Sequence, residues 1–111
     1  MTSSIPLVKG TLDVLVLQAL RWGAKHGFEI TSWLEERSDG ALDIDDSALY
    51  QALHRMEERD LIAADWGVTE NNRRARYYQL TAKGRAHLKA EATALTRYAR
   101  TLTAILAERP A

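Results

Sequence analysis

Between Leu12 and Leu20 the apolar positions Leu12, Val14, Leu15, Val16, Leu17, Ala19 and Leu20 fall on nearly every side of a helix. Thr11 is placed to open this segment and Gly23 to close it, so the pattern predicts a first helix buried on more than one face. From Gly27 to about Arg37, Phe28, Ile30, Trp33 and Leu34 supply an apolar face and Glu35, Glu36 and Arg37 a wet one. That is a second helix, ended by Ser38-Asp39-Gly40. Leu42-Asp43-Ile44 alternates as a very short strand would, and Asp45 and Asp46 then offer carboxylates suited to a helix N-terminus. In the third helix Leu49, Ala52, Leu53 and Met56 recur at the helical interval, which turns Ser47, Tyr50, Gln51, His54 and Arg55 outward.

Further on the period changes from helical to two. Ile62, Ala64, Trp66 and Val68 share one side of a strand, and Arg76, Tyr78 and Leu80 alternate beyond the polar stretch Thr69 to Arg74. The pattern predicts a β-hairpin with a basic tip. Thr81 then caps a last helix running to about Glu108, about 27 residues and roughly 40 Å long. The expected fold is mostly α with a small β-hairpin: a winged helix-turn-helix unit over residues 1–81 and a long C-terminal dimerisation helix over 82–111, packed with helix 1.

Composition narrows the chemistry. The 111 residues are 46% hydrophobic and 27% charged, enough for one compact core. Without cysteine there is no disulfide, no thiolate metal site and no cysteine nucleophile. His26, His54 and His87 stand apart, and no HExxH, GxSxG or glycine-rich phosphate loop occurs, so neither an enzyme nor a cofactor or metal is expected. The four-residue apolar run Val14 to Leu17 is far short of the roughly 20 a membrane span needs, and Met1 to Pro6 lacks the basic start of a signal peptide. A cytoplasmic location without membrane contact is therefore expected.

Net charge is zero, yet its distribution is uneven. Glu29 to Glu70 is strongly acidic, whereas Asn71 to Lys89 carries Arg73, Arg74, Arg76, Lys83, Arg85 and Lys89 with no carboxylate. A B-DNA major groove about 12 Å wide accepts an α-helix, and the outward side chains of the third helix suit base edges and phosphates. Gln51 can pair with adenine in bidentate fashion, and Arg55 can fork onto guanine for about 1–3 kcal/mol of discrimination. Asp45, Asp46, Glu57 and Glu58 would repel phosphates unless they cap backbone or point away, so this helix alone could equally be a solvated surface. The tip residues Asn71, Asn72, Arg73, Arg74 and Arg76 tilt the balance towards a loop lying along the DNA backbone or entering the minor groove. The bland alternative for that loop is a solubilising turn paired with Glu70 or Asp65.

Five stretches in order resemble the PadR family of transcriptional regulators: Lys9-Gly10-Thr11-Leu12-Asp13, His26-Gly27-Phe28-Glu29-Ile30, Leu49 to Glu57, the glycine-free wing Glu70 to Arg76, and Tyr77 to Gly84. The similarity spans about Leu7 to Glu91. It implies a homodimeric repressor joined through the first and last helices and bound to an inverted-repeat operator in double-stranded DNA. By position, Ser47, Tyr50, Gln51, His54 and Arg55 match the family's recognition-helix contacts, and Asn72, Arg73, Arg74 and Arg76 its wing contacts. Gln51 stands where the family often has proline, and Phe28 where it often has tyrosine. Some relatives bind phenolic or lipophilic effectors at or near the dimer interface; here Trp22, Trp33 and Trp66 are expected to serve core or interface packing instead.

In the last helix Leu88, Leu95 and Leu102 fall seven apart, with Tyr98 and Ile105 between, a short heptad seam interrupted by Glu91. With Leu12 and Leu15 of helix 1 these make the expected dimer interface, unless the last helix packs only on helix 1 of its own chain. The rival from another class is a winged helix that serves as a protein-interaction module and binds no DNA.

Overall fold

The computed structural model describes residues 7–8 and 10–108. Lys9 of the first family stretch, Met1 to Pro6 and Pro110 lie outside the described residues. The order is α1 (Leu12–Ala19), β1 (Lys25–His26), α2 (Gly27–Arg37), α3 (Asp46–Glu58), β2 (Ile62–Val68), β3 (Arg74–Leu80) and α4 (Ala82–Leu106). The strands form one antiparallel sheet in the order β1-β3-β2. This is the winged helix-turn-helix arrangement that the periodicities predict.

Local chemistry sets the helix starts. Asp45 accepts a hydrogen bond from the Ala48 amide at 3.2 Å, and Thr81 accepts one from the Gly84 amide at 2.9 Å. At α2 the cap is His26: its Nδ1 accepts from the Glu29 amide at 3.4 Å while the Glu29 carboxylate accepts from the His26 amide at 3.1 Å. This reciprocal box binds two otherwise orphaned amides. Thr81 also donates through its hydroxyl to the Asp60 carbonyl at 2.7 Å, stapling the start of α4 to the turn that follows α3.

The core gathers one face from every element longer than two residues. Val16, Leu17 and Leu20 meet Ile30 and Leu34 of α2, Leu49, Leu53 and Met56 of α3, and Leu61, Ile62, Tyr78 and Leu80 at the base of the hairpin. Helix α1 packs against α2, α3 and α4, which accounts for its nearly all-round apolar sequence. Leu88, the head of the predicted seam, is 5% exposed and belongs to this chain's own core. Leu12, Leu15 and Leu95 are half-buried beside it.

Three expectations are corrected. Leu42 to Ile44 is not a strand: the Leu42 amide bonds to the Ser38 hydroxyl at 3.0 Å, Ile44 packs on the core, and the third strand is Lys25–His26, paired with Tyr78 and Tyr77. Phe28 leaves the apolar face of α2 and is 76% exposed. Of the tryptophans, Trp22 and Trp66 lie outside this chain's core, while Trp33 is half-buried with its ring centroid 6.2 Å from that of Trp22. Arg74 and Arg76 lie within β3 and not in the loop, opposite Val68 and Trp66. The turn that joins the strands closes without glycine because Asn72 takes a φ of +61°, which asparagine tolerates better than other side chains.

Candidate nucleic-acid interface

On α3 the core takes Leu49, Ala52, Leu53 and Met56, so Ser47, Tyr50, Gln51, His54 and Arg55 are exposed together on the opposite side. Gln51 donates weakly to the Ser47 hydroxyl at 3.5 Å, leaving its amide available for other partners. Tyr50 lies across the start of α2, so close that a methyl at Gly27 would stand 2.6 Å from its Oη. A side chain at position 27 would displace the ring.

The hairpin carries its inner face past the edge of the core. Ile62 and Leu80 are buried at its base, Ala64 and Tyr78 follow, and the next cross-strand pairs, Trp66 with Arg76 and Val68 with Arg74, emerge into solvent on that same face. The Arg74 guanidinium sits 4.6 Å from the centroid of the Trp66 ring, which is 59% exposed. Phe28, Tyr50, Trp66, Arg74, Arg76 and Tyr78 line one groove of about 410 Å³ between α2, α3 and the wing. Tyr50 of α3 and Arg74 and Arg76 of the wing thus border one groove, while Ser47, Gln51, His54 and Arg55 lie outside it.

Carboxylates near this surface are already engaged. Arg76 Nη2 is 2.7 Å from Glu57 Oε2, Arg55 Nη2 is 2.8 Å from Asp13 Oδ1, and His54 Nε2 is 3.2 Å from Glu58 Oε1. Asp45 caps α3, and Asp46 in its first turn complements the helix dipole. Asp13 and Glu57 are thus tied to arginines and Asp45 to backbone, while Asp46 and Glu58, whose neighbour His54 carries charge only when protonated, stay exposed. Arg76 pairs across to α3 and not with Glu70 or Asp65, while Arg73 and Arg74 form no ion pair among the described residues. Burial pushes the Tyr78 phenol above its ordinary pKa; the neighbouring Arg76 guanidinium works against this and the Glu57 carboxylate adds to it.

The candidate surface also includes four side chains that periodicity did not single out as site residues: Phe28, Trp66, Asp13 and Glu57. Trp66 follows Ile62 and Ala64 in strict alternation and so reads as core. Only the length of the strands beyond the core reveals otherwise. The partners of Arg55 and Arg76 lie 42 and 19 positions away in sequence, and no local pattern encodes such pairings.

Residues 16–90 match the model of the transcriptional regulator PadR-like family. Among solved structures, a PadR family transcription regulator from Clostridium difficile is 26% identical, covering 88% of this chain and all of that one, with a TM-score of 0.75. A Streptococcus mutans protein shares the fold at a TM-score of 0.82 and 22% identity, covering 98% of both chains. Bacillus subtilis PadR, solved in complex with operator DNA, aligns at a TM-score of 0.66 and 19% identity over 94% of this chain and 51% of its own. No helix among the described residues is long and apolar enough to cross a membrane.

Proposed function

The chain belongs to the PadR-like family of transcriptional regulators, and on that premise we propose that it is a dimeric repressor that reads an inverted-repeat operator. Residues 1–81 form the DNA-binding unit and 82–111 the dimerisation arm. Ser47, Tyr50, Gln51, His54 and Arg55 enter the major groove, while Asn72, Arg73, Arg74 and Arg76 follow the adjacent backbone. The observation that carries this reading is the shared groove, in which Tyr50 of α3 and Arg74 of the wing border the same space. The operator complex of Bacillus subtilis PadR supports it by analogy of fold.

The dimer rests on apolar surface that the single chain leaves uncovered. Beyond Leu95 every residue of α4 up to Leu106 is exposed, including Tyr98 at 60% and Ile105 at 71%, with Leu102 between them. A second copy packed along Leu95, Tyr98, Leu102 and Ile105, with Leu12 and Leu15 at its edge, would cover that stripe. Two-fold symmetry then sets the two reading helices about one DNA turn, roughly 34–36 Å, or a multiple of it apart.

The competing reading, a winged helix that binds only protein, draws on the zero net charge and on the pairing of Arg55 and Arg76 with carboxylates. Duplex affinity measured at two salt concentrations separates them. A DNA-binding protein that neutralises several phosphates loses affinity steeply with salt, by about 0.9 in log–log slope for each phosphate. Weak binding to every duplex, with no selected sequence from a random pool, would refute the proposal.

A further inference from the structure

Arg55 belongs to the outward face of α3, yet its guanidinium is held by a residue of another helix. Its Nη2 donates to Asp13 Oδ1 at 2.8 Å, and Asp13 lies in the first turn of α1. The aspartate side chain is 29% exposed and the arginine 53%. Such a half-exposed pair adds little to stability. It does fix a long side chain that would otherwise sample many rotamers. A guanidinium presents five donors in a rigid plane, so one bond to Asp13 sets the plane's orientation and leaves other donors for a base or phosphate.

We propose that Asp13 is a positioning residue that sets the base preference of the recognition helix by orienting Arg55, an inference that rests on the DNA-reading role proposed above. An arginine already anchored loses less freedom when it docks, and its fork meets one base edge at a fixed angle. Helix α1, which also packs on α2 and α4, thereby has a direct ionic contact with the reading face.

The opposite expectation follows from charge alone. A carboxylate near a polyanion weakens binding to every sequence, so Asp13→Asn would then raise all affinities equally. Positioning predicts a different pattern, measurable by selecting bound duplexes from a random pool and by titrating a non-specific duplex. Asp13→Asn and Arg55→Ala should each lose about tenfold preference at the same one or two base pairs. The double variant should be no worse than Arg55→Ala, and the non-specific affinity of Asp13→Asn should stay equal or rise. Arg55→Lys, which keeps the charge and loses the fork, should show the same flattened preference. Glu35→Gln removes a carboxylate from the exposed side of α2, away from Arg55 and the wing, and should keep the wild-type preference.

A wild-type preference in Asp13→Asn, with affinity raised uniformly, would overturn the inference, as would additive losses in the double variant. If Asp13→Asn melts early, Arg55→Lys and Asp13→Glu still decide it: unchanged preference in both counts against positioning. A wild type that binds duplexes but selects no sequence defeats the inference together with the sequence-reading role, whereas selection with an indifferent Asp13 defeats the inference alone.

Discussion

At Gly84, in the first turn of α4, a methyl group would overlap the Leu61 carbonyl oxygen, which belongs to backbone and cannot swing away. Gly84→Ala is therefore expected to destabilise the fold by about 2–3 kcal/mol, the upper range for overpacking, as read by urea denaturation. Gly27 makes the contrasting case, since its neighbour is the far end of Tyr50. Gly27→Ala should shift stability by less than about 1 kcal/mol yet weaken duplex binding several-fold, because the Tyr50 ring must leave its place over α2. Unchanged affinity would remove that ring position from the mechanism. At this scale the outward faces of α3 were legible from periodicity alone, since burial of Leu49, Leu53 and Met56 leaves the others no choice. The partners of Arg55 and Arg76 were not, because an ion pair between distant elements depends on how those elements cross.

Among elements, the wing offers the sharpest test. Arg73 and Arg74 have no carboxylate partner among the described residues, so Arg73→Ala with Arg74→Ala should weaken binding to all duplexes. The log–log salt slope should become shallower by up to about 2, one step for each lost phosphate contact. Equal slopes for variant and wild type would take the wing off the DNA. The starts of α3 and α4 followed the sequence closely, because Asp45 and Thr81 are caps with local partners. Helix α1 instead ends at Ala19, short of Gly23, and Thr11 gives it no side-chain cap, its hydroxyl donating to the Val8 carbonyl. Nor did the third strand follow the sequence. Two residues carry no alternation, and β1 exists only because Tyr77 and Tyr78, about fifty positions later, present an open sheet edge. Leu42 to Ile44 alternates without being a strand, since half-burial of Leu42 and Ile44 beside an exposed Asp43 imitates the period of two.

On the scale of the whole molecule, α4 is more helix than one core can cover. The chain measures 57 Å along its longest axis against 37 and 22 Å across, and the distal half of α4 meets only solvent. Glutamate at Leu102 and Ile105 together should shift the sedimenting mass from dimer to monomer and lower operator affinity at least tenfold, leaving the winged unit folded by circular dichroism. An unchanged mass would refute the seam. The heptad spacing alone could not separate Leu88, absorbed by the chain's own core, from Tyr98 and Ile105, which stay outside it. Neutral net charge likewise hid a division visible only in three dimensions, in which Asp45 caps α3 and Asp13 and Glu57 pair with arginines, while Arg73 and Arg74 form no ion pair among the described residues.

Amide hydrogen exchange with and without bound duplex would show whether helix and wing act as one reading surface. Binding should slow exchange in two separate stretches of the chain at once, the start of α3 near Ser47 to Gln51 and the wing from Asn71 to Arg76. Protection confined to one of them, or falling instead on the acidic outer side of α2 around Glu35 and Glu36, would contradict it.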